Sequence, residues 1–545
     1  MNKPKVFLIG NAHIDPVWLW KWQEGYAEVR ATYQSALDRI EQFDDFVFTT
    51  ACASYYKWIE ESEPEMFAKI QKAVREHKWY IVGGWWIQPD CNIPSGESFV
   101  RHSLYSQRYF EQKFGTKATI GWNVDSFGHN GNLPQIYKKS GINSYIYLRP
   151  GPHEKDYPFE TGVPFIWRGV DGSEIIAYNI PFGYGERLQD KYDKYEKIIL
   201  NSKREEFMLF FGVGNHGGGP TIKAINDIHE TQKQDRAAEY IISTPDKYFE
   251  QVIAKIDKNP LPVVEGDLQH HASGCYASLI KIKELNRKAE QRLMAAEKCS
   301  CLANSLLGLK YDTVLYEKGW EKVMFNQFHD IMGGCSVKEA YDDVEEFYGE
   351  SLTIAAENYN KALQKITWNI DTDKGVRYLS KEMDGKIWEI ENKGVPIVIY
   401  NPLSWEVEEP LYVNCPNING ITDKDGNPVQ FQKGRGLQPL GISGRYNTIF
   451  MAKVPAMGYT TYWMYTKEEK PFEGKKKYLR ATEYYMENEF IRVEFEPETG
   501  FLRSIFDLKD NKEFLASTAR PVVCDETELD TWGHNRKRFR NDIGD

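Results

Sequence analysis

The hydrophobic and polar positions divide the chain into three stretches. Over residues 1–265, short apolar runs alternate with amphipathic ones. "KVFLIGNAHID" precedes "EGYAEVRATYQSALDRIEQF", and "FVFTTA" precedes "PEMFAKIQKAVREHKW". Then come "YIVGGWW", "FVRHSLYSQRYFEQKFG", "ATIGWNVD", "LPQIYKKSG", "SYIYLR", "EIIAYNI", "EFMLFFGVG", a helical stretch near "IKAINDIHETQKQ", and "LPVVEGDL". Strand and helix repeated in this order predict a parallel sheet. Seven or eight such units predict a closed or nearly closed barrel rather than an open sheet. Residues 276–370 read instead as three long helices, a bundle. Beyond about residue 385, runs such as "VPIVIYNPLSW", "TIFMAKVPAMGYTTYWMY" and "NEFIRVEFEPETGFLRSIFD" alternate with period two between turn signals, as sandwich strands do. The expected fold class is α/β. A (β/α)7-type barrel is expected at 1–268, a three-helix bundle at 269–375 and a β-sandwich at 376–545. The last pattern stops part-way in "DTWGHNRKRFRNDIGD", so the sandwich is expected to be truncated.

Composition narrows the classes. A chain of 545 residues holds more than one domain. Apolar content of 41% is ordinary for a folded protein, and no apolar run approaches the ~20 residues of a membrane helix. The opening "MNKPKVFLIGNAHID" lacks a small-residue cleavage site and reads as the first core strand, not a signal peptide. A net charge of −11 argues against a nucleic-acid partner. Cys52, Cys91, Cys275, Cys299, Cys301, Cys335, Cys415 and Cys524 are scattered, with no CxxC pair. The expectation is a reduced, cytoplasmic chain with no membrane partner, compatible with a homo-oligomer. Aromatic content is high, at 14%. It serves ordinary cores but also the C–H faces of sugars.

Candidate chemistry gathers at predicted strand ends, where parallel α/β domains bind ligands. His13 and Asp15 close the first strand and point to the same side. They look like half of a metal site or half of an acid/base site. Asp125 ends "GWNVD", Arg149 follows "SYIYL", Tyr178 and Asn179 close "EIIAYN", His216 lies in "GNHGGGPT", and Asp267, His270 and His271 lie in "EGDLQHH". Each also has a plainer reading. Asp125 suits an N-cap. "GNHGGGPT" lacks the Lys-Ser/Thr of a phosphate loop and suits a tight turn. His329, in "NQFHDIMGG", suits a helix C-terminus favoured by the dipole. Trp18, Trp85 and Trp86 fit either a core or a sugar platform at the rim.

The stretches "NAHIDPVWLW", "GGWWIQPDCNIPSGES", "GWNVDSFGHN", "YLRP", "GNHGGGPT", "GDLQHHASGCYAS" and "NQFHDIMGGCS" occur in an order that resembles the family 38 glycoside hydrolases, the retaining α-mannosidases. "NPLSW" and "DTWGH" resemble phrases of that family's β-domains. The resemblance implies a (β/α)-barrel, a three-helix bundle and β-sandwich domains. It implies one Zn²⁺ held by His13, Asp15, Asp125 and His329, a donor set that also suits Co²⁺ or Mn²⁺. Asp125 would double as the nucleophile that forms a glycosyl-enzyme. Trp18 would stack on the sugar, Phe127 would line the pocket, Arg149 would fix the nucleophile's charge, and Asp330 would bond sugar hydroxyls. Tyr178 and Asn179 match less closely.

One departure concerns the general acid. The family often places a carboxylate shortly before the phrase that is "SGCYAS" here, where this chain has Gln269-His270-His271-Ala272. Asp267, His270 and His271 are the candidates, histidine because it titrates near neutrality. The activity implied is removal of terminal α-linked mannose from oligosaccharides. Two other readings compete. One is a metal-dependent carbohydrate deacetylase working through metal-bound water. The other is an inactive carbohydrate-binding relative.

Overall fold

A computed structural model describes residues 3–544 apart from 152–153, 156, 160–161, 186–187, 203, 373–393, 416, 436–445, 467–469, 471, 473–477, 526–529, 531 and 535–541. The chain is mixed α/β and forms two compact units. The first comprises residues 1–297, 312–358 and 528–538; the second comprises 298–311, 359–527 and 539–545.

In the first unit the apolar runs are strands, and most pair in parallel. Lys5–Gly10 lies between Glu206–Phe211 and Glu239–Ser243. Phe48–Thr50 pairs with Trp79–Ile81. A second, five-stranded sheet runs in the order Val263–Glu265, Pro164–Arg168, Glu174–Asn179, Ser144–Tyr147, Ile120–Asn123. Short links join these groups. Asn11 bridges Thr49, and the Gly83 N–H donates to the Ile120 carbonyl at 2.7 Å. One pair departs from the all-parallel expectation. Pro164–Arg168 runs antiparallel to Glu174–Asn179. The turn between them carries Asp171-Gly172, a hairpin signal, and the Asp171 side chain accepts from the Ser173 N–H.

Over the stretch expected to form a bundle, the main helices are Ile280–Leu307, Thr313–Asn326 and Lys338–Thr367. The middle one does not continue through His329, as the pattern had suggested. It stops at Gln327, and a five-residue helix, His329–Gly333, begins after an extended Phe328. Two contacts account for the break. The Asp90 N–H takes the Gln327 carbonyl at 2.9 Å, and Phe328 bridges Pro89. The buried Gln327 side chain is held by His102, Ser98, Asn286 and Glu290 at 2.8–3.0 Å. His329 therefore starts a helix rather than ending one, and it is fully buried.

Trp85 and Trp86 are also buried. Trp85 stacks on Tyr137 at 4.6 Å and donates to Ser103 Oγ at 2.9 Å. It belongs to the core under the five-stranded sheet and not to a sugar-binding rim.

In the second unit, two antiparallel three-stranded sheets, one centred on Gly458–Tyr465 and the other on Tyr446–Val454, share one apolar cluster that includes Ile421, Phe450, Val454 and Met464. A further five-stranded antiparallel sheet spans Leu479–Glu513. Among the described residues no helix is long and apolar enough to cross a membrane.

Trp79 anchors an aromatic cluster beneath the first helices. Its ring lies 5.0 Å from Tyr33 and 4.8 Å from Phe48, and its indole donates to the Tyr56 hydroxyl. Trp79→Ala is expected to cost about 3–5 kcal/mol, the usual range for a buried large aromatic. Urea denaturation followed by far-UV circular dichroism checks this; an unchanged midpoint would count against the packing described.

Candidate metal centre and pocket

The site starts where Lys5–Gly10 ends. The next ten residues curl over the strand end and are pinned from three sides. The Tyr55 hydroxyl donates to the Ile14 carbonyl at 2.8 Å, the Trp20 indole to the Asp15 carbonyl at 2.9 Å, and the Asp15 N–H to the Asn215 carbonyl at 2.8 Å. "GNHGGGPT" is thus a turn that lays Asn215 beside Asp15. Gly217, at φ +106°, passes Thr32 so closely that a Cβ would come within 2.7 Å of its Oγ1. His216 points away to Glu24, and both are exposed.

His13, Asp15, Asp125 and His329 converge, with one donor atom from each lying within 4.8 Å of the others. Asp125 follows the strand Ile120–Asn123, and His329 comes from the short helix. The two imidazole rings stack at 5.6 Å. His13 Nε2 lies 2.7 Å from Asp15 Oδ1 and 3.7 Å from Asp125 Oδ2. His329 Nε2 lies 3.8 Å and 3.6 Å from the same two oxygens. Among the described residues, His13 Nε2, Asp15 Oδ1 and His329 Nε2 are buried atoms with no hydrogen-bond partner. Buried polar atoms are ordinarily satisfied, so three orphans facing one point fit a shared cation. Two imidazoles and two carboxylates are a suitable donor set for a divalent transition metal.

A single residue braces this group. The Gln88 carbonyl accepts from His329 Nδ1 at 2.9 Å, which leaves Nε2 with its lone pair. Its side-chain amide lies 3.2 Å from His13 Nδ1, and its Oε1 accepts from the Val124 N–H at 3.2 Å, next to Asp125. The His329 contact is of the kind that orients metal-binding histidines. Burial pulls the His329 pKa below its ordinary value and keeps the ring in the neutral, ligating form. Burial also pushes the neighbouring Asp330 carboxyl well above the carboxylate range, an effect that His329 opposes.

The centre forms one wall of a cavity of about 150 Å³, on the scale of one sugar ring. The cavity brings together Asp15, Trp18, Asp125, Phe127, Arg149, His271 and Asp330. Arg149 forms an ion pair with Asp125 through Nη1. Phe127 meets His329 edge-on at 5.5 Å and stacks on His271 at 6.1 Å.

Other candidates lie elsewhere. Tyr178 is buried, its hydroxyl donating to the Met208 carbonyl at 2.7 Å. Asn179 donates to the Leu148 carbonyl at 2.8 Å and so steadies the segment that carries Arg149. Asp267 and His270 are exposed and do not line this cavity.

Four lining residues were not expected: Tyr184, Asn215, Trp532 and His534. The last two come from "DTWGH", far along the chain. The Trp532 carbonyl accepts from the Gly274 N–H at 2.9 Å, and His534 bridges Ala272. The sequence signal for them was the phrase "DTWGH", which resembles one in the family's β-domains and gave no hint of this cavity.

The family assignment follows from sequence comparison. The profile of the "Glycosyl hydrolases family 38 N-terminal domain" matches residues 3–272, and that of the "Alpha mannosidase middle domain" matches residues 270–366. The chain belongs to glycosyl hydrolase family 38. His13, Asp15 and Asp125 fall in the first family 38 match and His329 in the second. Among curated relatives, Alpha-mannosidase G of Dictyostelium discoideum is 29% identical over 548 residues, covering 97% of this chain and 49% of that protein. Human Alpha-mannosidase 2C1 is 29% identical over 360 residues, covering 64% of this chain and 34% of that protein. The chain thus spans about half the length of Alpha-mannosidase G, and the match to the human protein covers less. The crystal structure of an alpha-mannosidase from Enterococcus faecalis superposes with a TM-score of 0.74 at 21% identity, covering 94% of this chain and 61% of that one. That likeness establishes the fold.

The convergence of four potential donor groups makes a direct prediction. His329→Ala, dialysed after zinc loading, is expected to retain less than a tenth of the one metal equivalent held by the unaltered protein, with unchanged circular dichroism. Mass-spectrometric metal analysis checks this. Full retention by the variant would contradict the assigned centre.

Proposed function

We propose that this chain is a zinc-dependent retaining α-mannosidase that hydrolyses terminal α-linked mannose from oligosaccharides through a covalent mannosyl-Asp125 intermediate. The observation that carries the reading is the orphaned His13, Asp15 and His329 atoms facing Asp125 at the wall of one sugar-sized cavity. His13, Asp15, Asp125 and His329 would hold the single Zn²⁺. Bound there, the ion would grip adjacent sugar hydroxyls as a Lewis acid and favour the axial 2-hydroxyl of mannose.

The protein's own groups do the rest. Arg149, paired with Asp125, holds that carboxylate in place at the cavity wall. Asp125 attacks the anomeric carbon as the glycosidic oxygen leaves with a proton. Water then displaces Asp125 from the face that the aglycone left, and two inversions give retention. Trp18 offers its face to the sugar ring, Phe127 closes the apolar side, and Asp330 bonds hydroxyls. Of the three candidates for the acid, His271 alone lines the cavity. In this reading the site sits on a (β/α)7-type barrel at 1–268, completed by a three-helix bundle at 269–375, with a β-sandwich at 376–545. Cytoplasmic breakdown of oligosaccharides, by a monomer or a homo-oligomer, is the setting that fits the cysteine usage and charge.

Release of p-nitrophenol from p-nitrophenyl α-mannoside tests the proposal. It should fall to background with a chelator and return with zinc. Asp125→Ala should lose at least ~10³-fold, the scale expected for a removed nucleophile. Well-folded, zinc-loaded protein that releases nothing would contradict the reading.

A further inference from the structure

His271 does not stand alone. Its Nδ1 lies 2.5 Å from Glu154 Oε1, and both side chains are only 11% exposed. A carboxylate can only accept, so Nδ1 carries the hydrogen and Nε2 is the nitrogen left for chemistry. Glu154 is itself fixed, its Oε2 accepting from the Gly151 N–H at 2.9 Å. The ring is further confined by Phe127 on one face and by His534, 4.9 Å away and edge-on. His534 in turn bonds Asp530 at 2.7 Å. An imidazole oriented by a buried carboxylate, facing a cavity that also holds a carboxylate paired with arginine, is a proton-transfer arrangement.

We propose that His271, oriented by Glu154, is the acid/base group of this site, taking the place of the carboxylic acid that glycosidases commonly use. The assignment rests on the mannosidase reading above. In the first step the His271 imidazolium gives its Nε2 proton to the glycosidic oxygen. The C1–O bond breaks, the aglycone leaves as an alcohol, and an Asp125 oxygen bonds to C1. In the second, water attacks C1 and gives its proton to neutral His271. The C1–Asp125 bond breaks, and both the Asp125 carboxylate and the imidazolium are restored. Glu154 is a positioning residue: it touches His271 rather than the sugar.

The charges facing His271 set the direction of its pH response. Burial lowers its pKa, Glu154 raises it, and Arg149 and His534 lower it, the net result lying below the ordinary histidine value. Across the cavity stand Asp15, Asp125 and Asp330. As the acid, His271 must enter the first step protonated. The rate on a poor leaving group should therefore fall as pH rises through its pKa. Removing the Glu154 charge removes a raising contribution, so Glu154→Gln should move that fall to lower pH.

The test compares wild-type protein, His271→Ala and Glu154→Gln, all zinc-loaded and matched by circular dichroism. The substrates are methyl α-mannoside, a poor leaving group, and 2,4-dinitrophenyl α-mannoside, a good one. His271→Ala should lose ~10²–10⁴-fold on the first, the usual worth of general acid catalysis. On the second it should keep a burst of dinitrophenol followed by slow turnover. Azide should speed that turnover and yield α-mannosyl azide. Glu154→Gln should shift the pH limb downward. Equal losses on both substrates with no azide product would overturn the proposal, as would an unmoved limb in Glu154→Gln. Wild-type protein that cleaves neither substrate would overturn the mannosidase reading, and this assignment with it.

Discussion

Two carboxylates and two imidazoles packed within 4.8 Å of one another are the constraint around which the first unit is built. Taking a carboxylate out of water costs several kcal/mol unless something compensates it. Asp15 is 1% exposed, and its Oδ1 has no hydrogen bond among the described residues. Arg149 compensates Asp125, whereas Asp15 faces only the imidazoles of His13 and His329 among the described residues, at 2.7 and 3.8 Å. A divalent cation shared by all four groups would offset both costs at once. Much of the surrounding structure holds the four in place: the pinned turn after the first strand, the break before His329, and Gln88 reaching both rings.

The same constraint explains a local oddity. A helix could have run unbroken from Thr313 to Gly333. It breaks at Gln327 because the "GGWWIQPD" segment passes alongside and takes the backbone groups that the next turn would use. The break turns His329 into the first residue of a new helix, next to the Gln88 carbonyl that fixes its tautomer. One crossing of two segments thus fixes both the backbone pairing and the position of His329.

The parts of the site that were legible in the sequence are those where chemistry follows a strand. His13 and Asp15 were visible as a His-x-Asp pair just past an apolar run, although the strand stops at Gly10 and the pair lies on the segment that curls over its end. Asp125 and Arg149 were visible because parallel sheets expose their strand ends. Residues placed by tertiary packing were not. Trp85 and Trp86 follow a strand yet turn into the core, where Tyr137 offers a stacking face. Trp532 and His534 belong to the first unit although most of the second unit's strands precede them in the chain, and no local pattern announces such a return. Glu154 lies close after Arg149 in the sequence with no pattern to single it out, and only the folded chain brings it to His271. The antiparallel hairpin at 164–179 was hidden by the alternation of its neighbours, although its Asp-Gly turn was in plain view.

The central claim is that His13, Asp15, Asp125 and His329 bind one metal ion and that the chemistry is arranged around it. The most direct measurement is anomalous diffraction at the zinc edge from crystals of the zinc-loaded protein. The account predicts one strong peak between the four side chains, at bonding distance (~2.0–2.2 Å) from the imidazole nitrogens and carboxylate oxygens. A fully loaded crystal with no peak there, or with zinc bound only elsewhere, would contradict it.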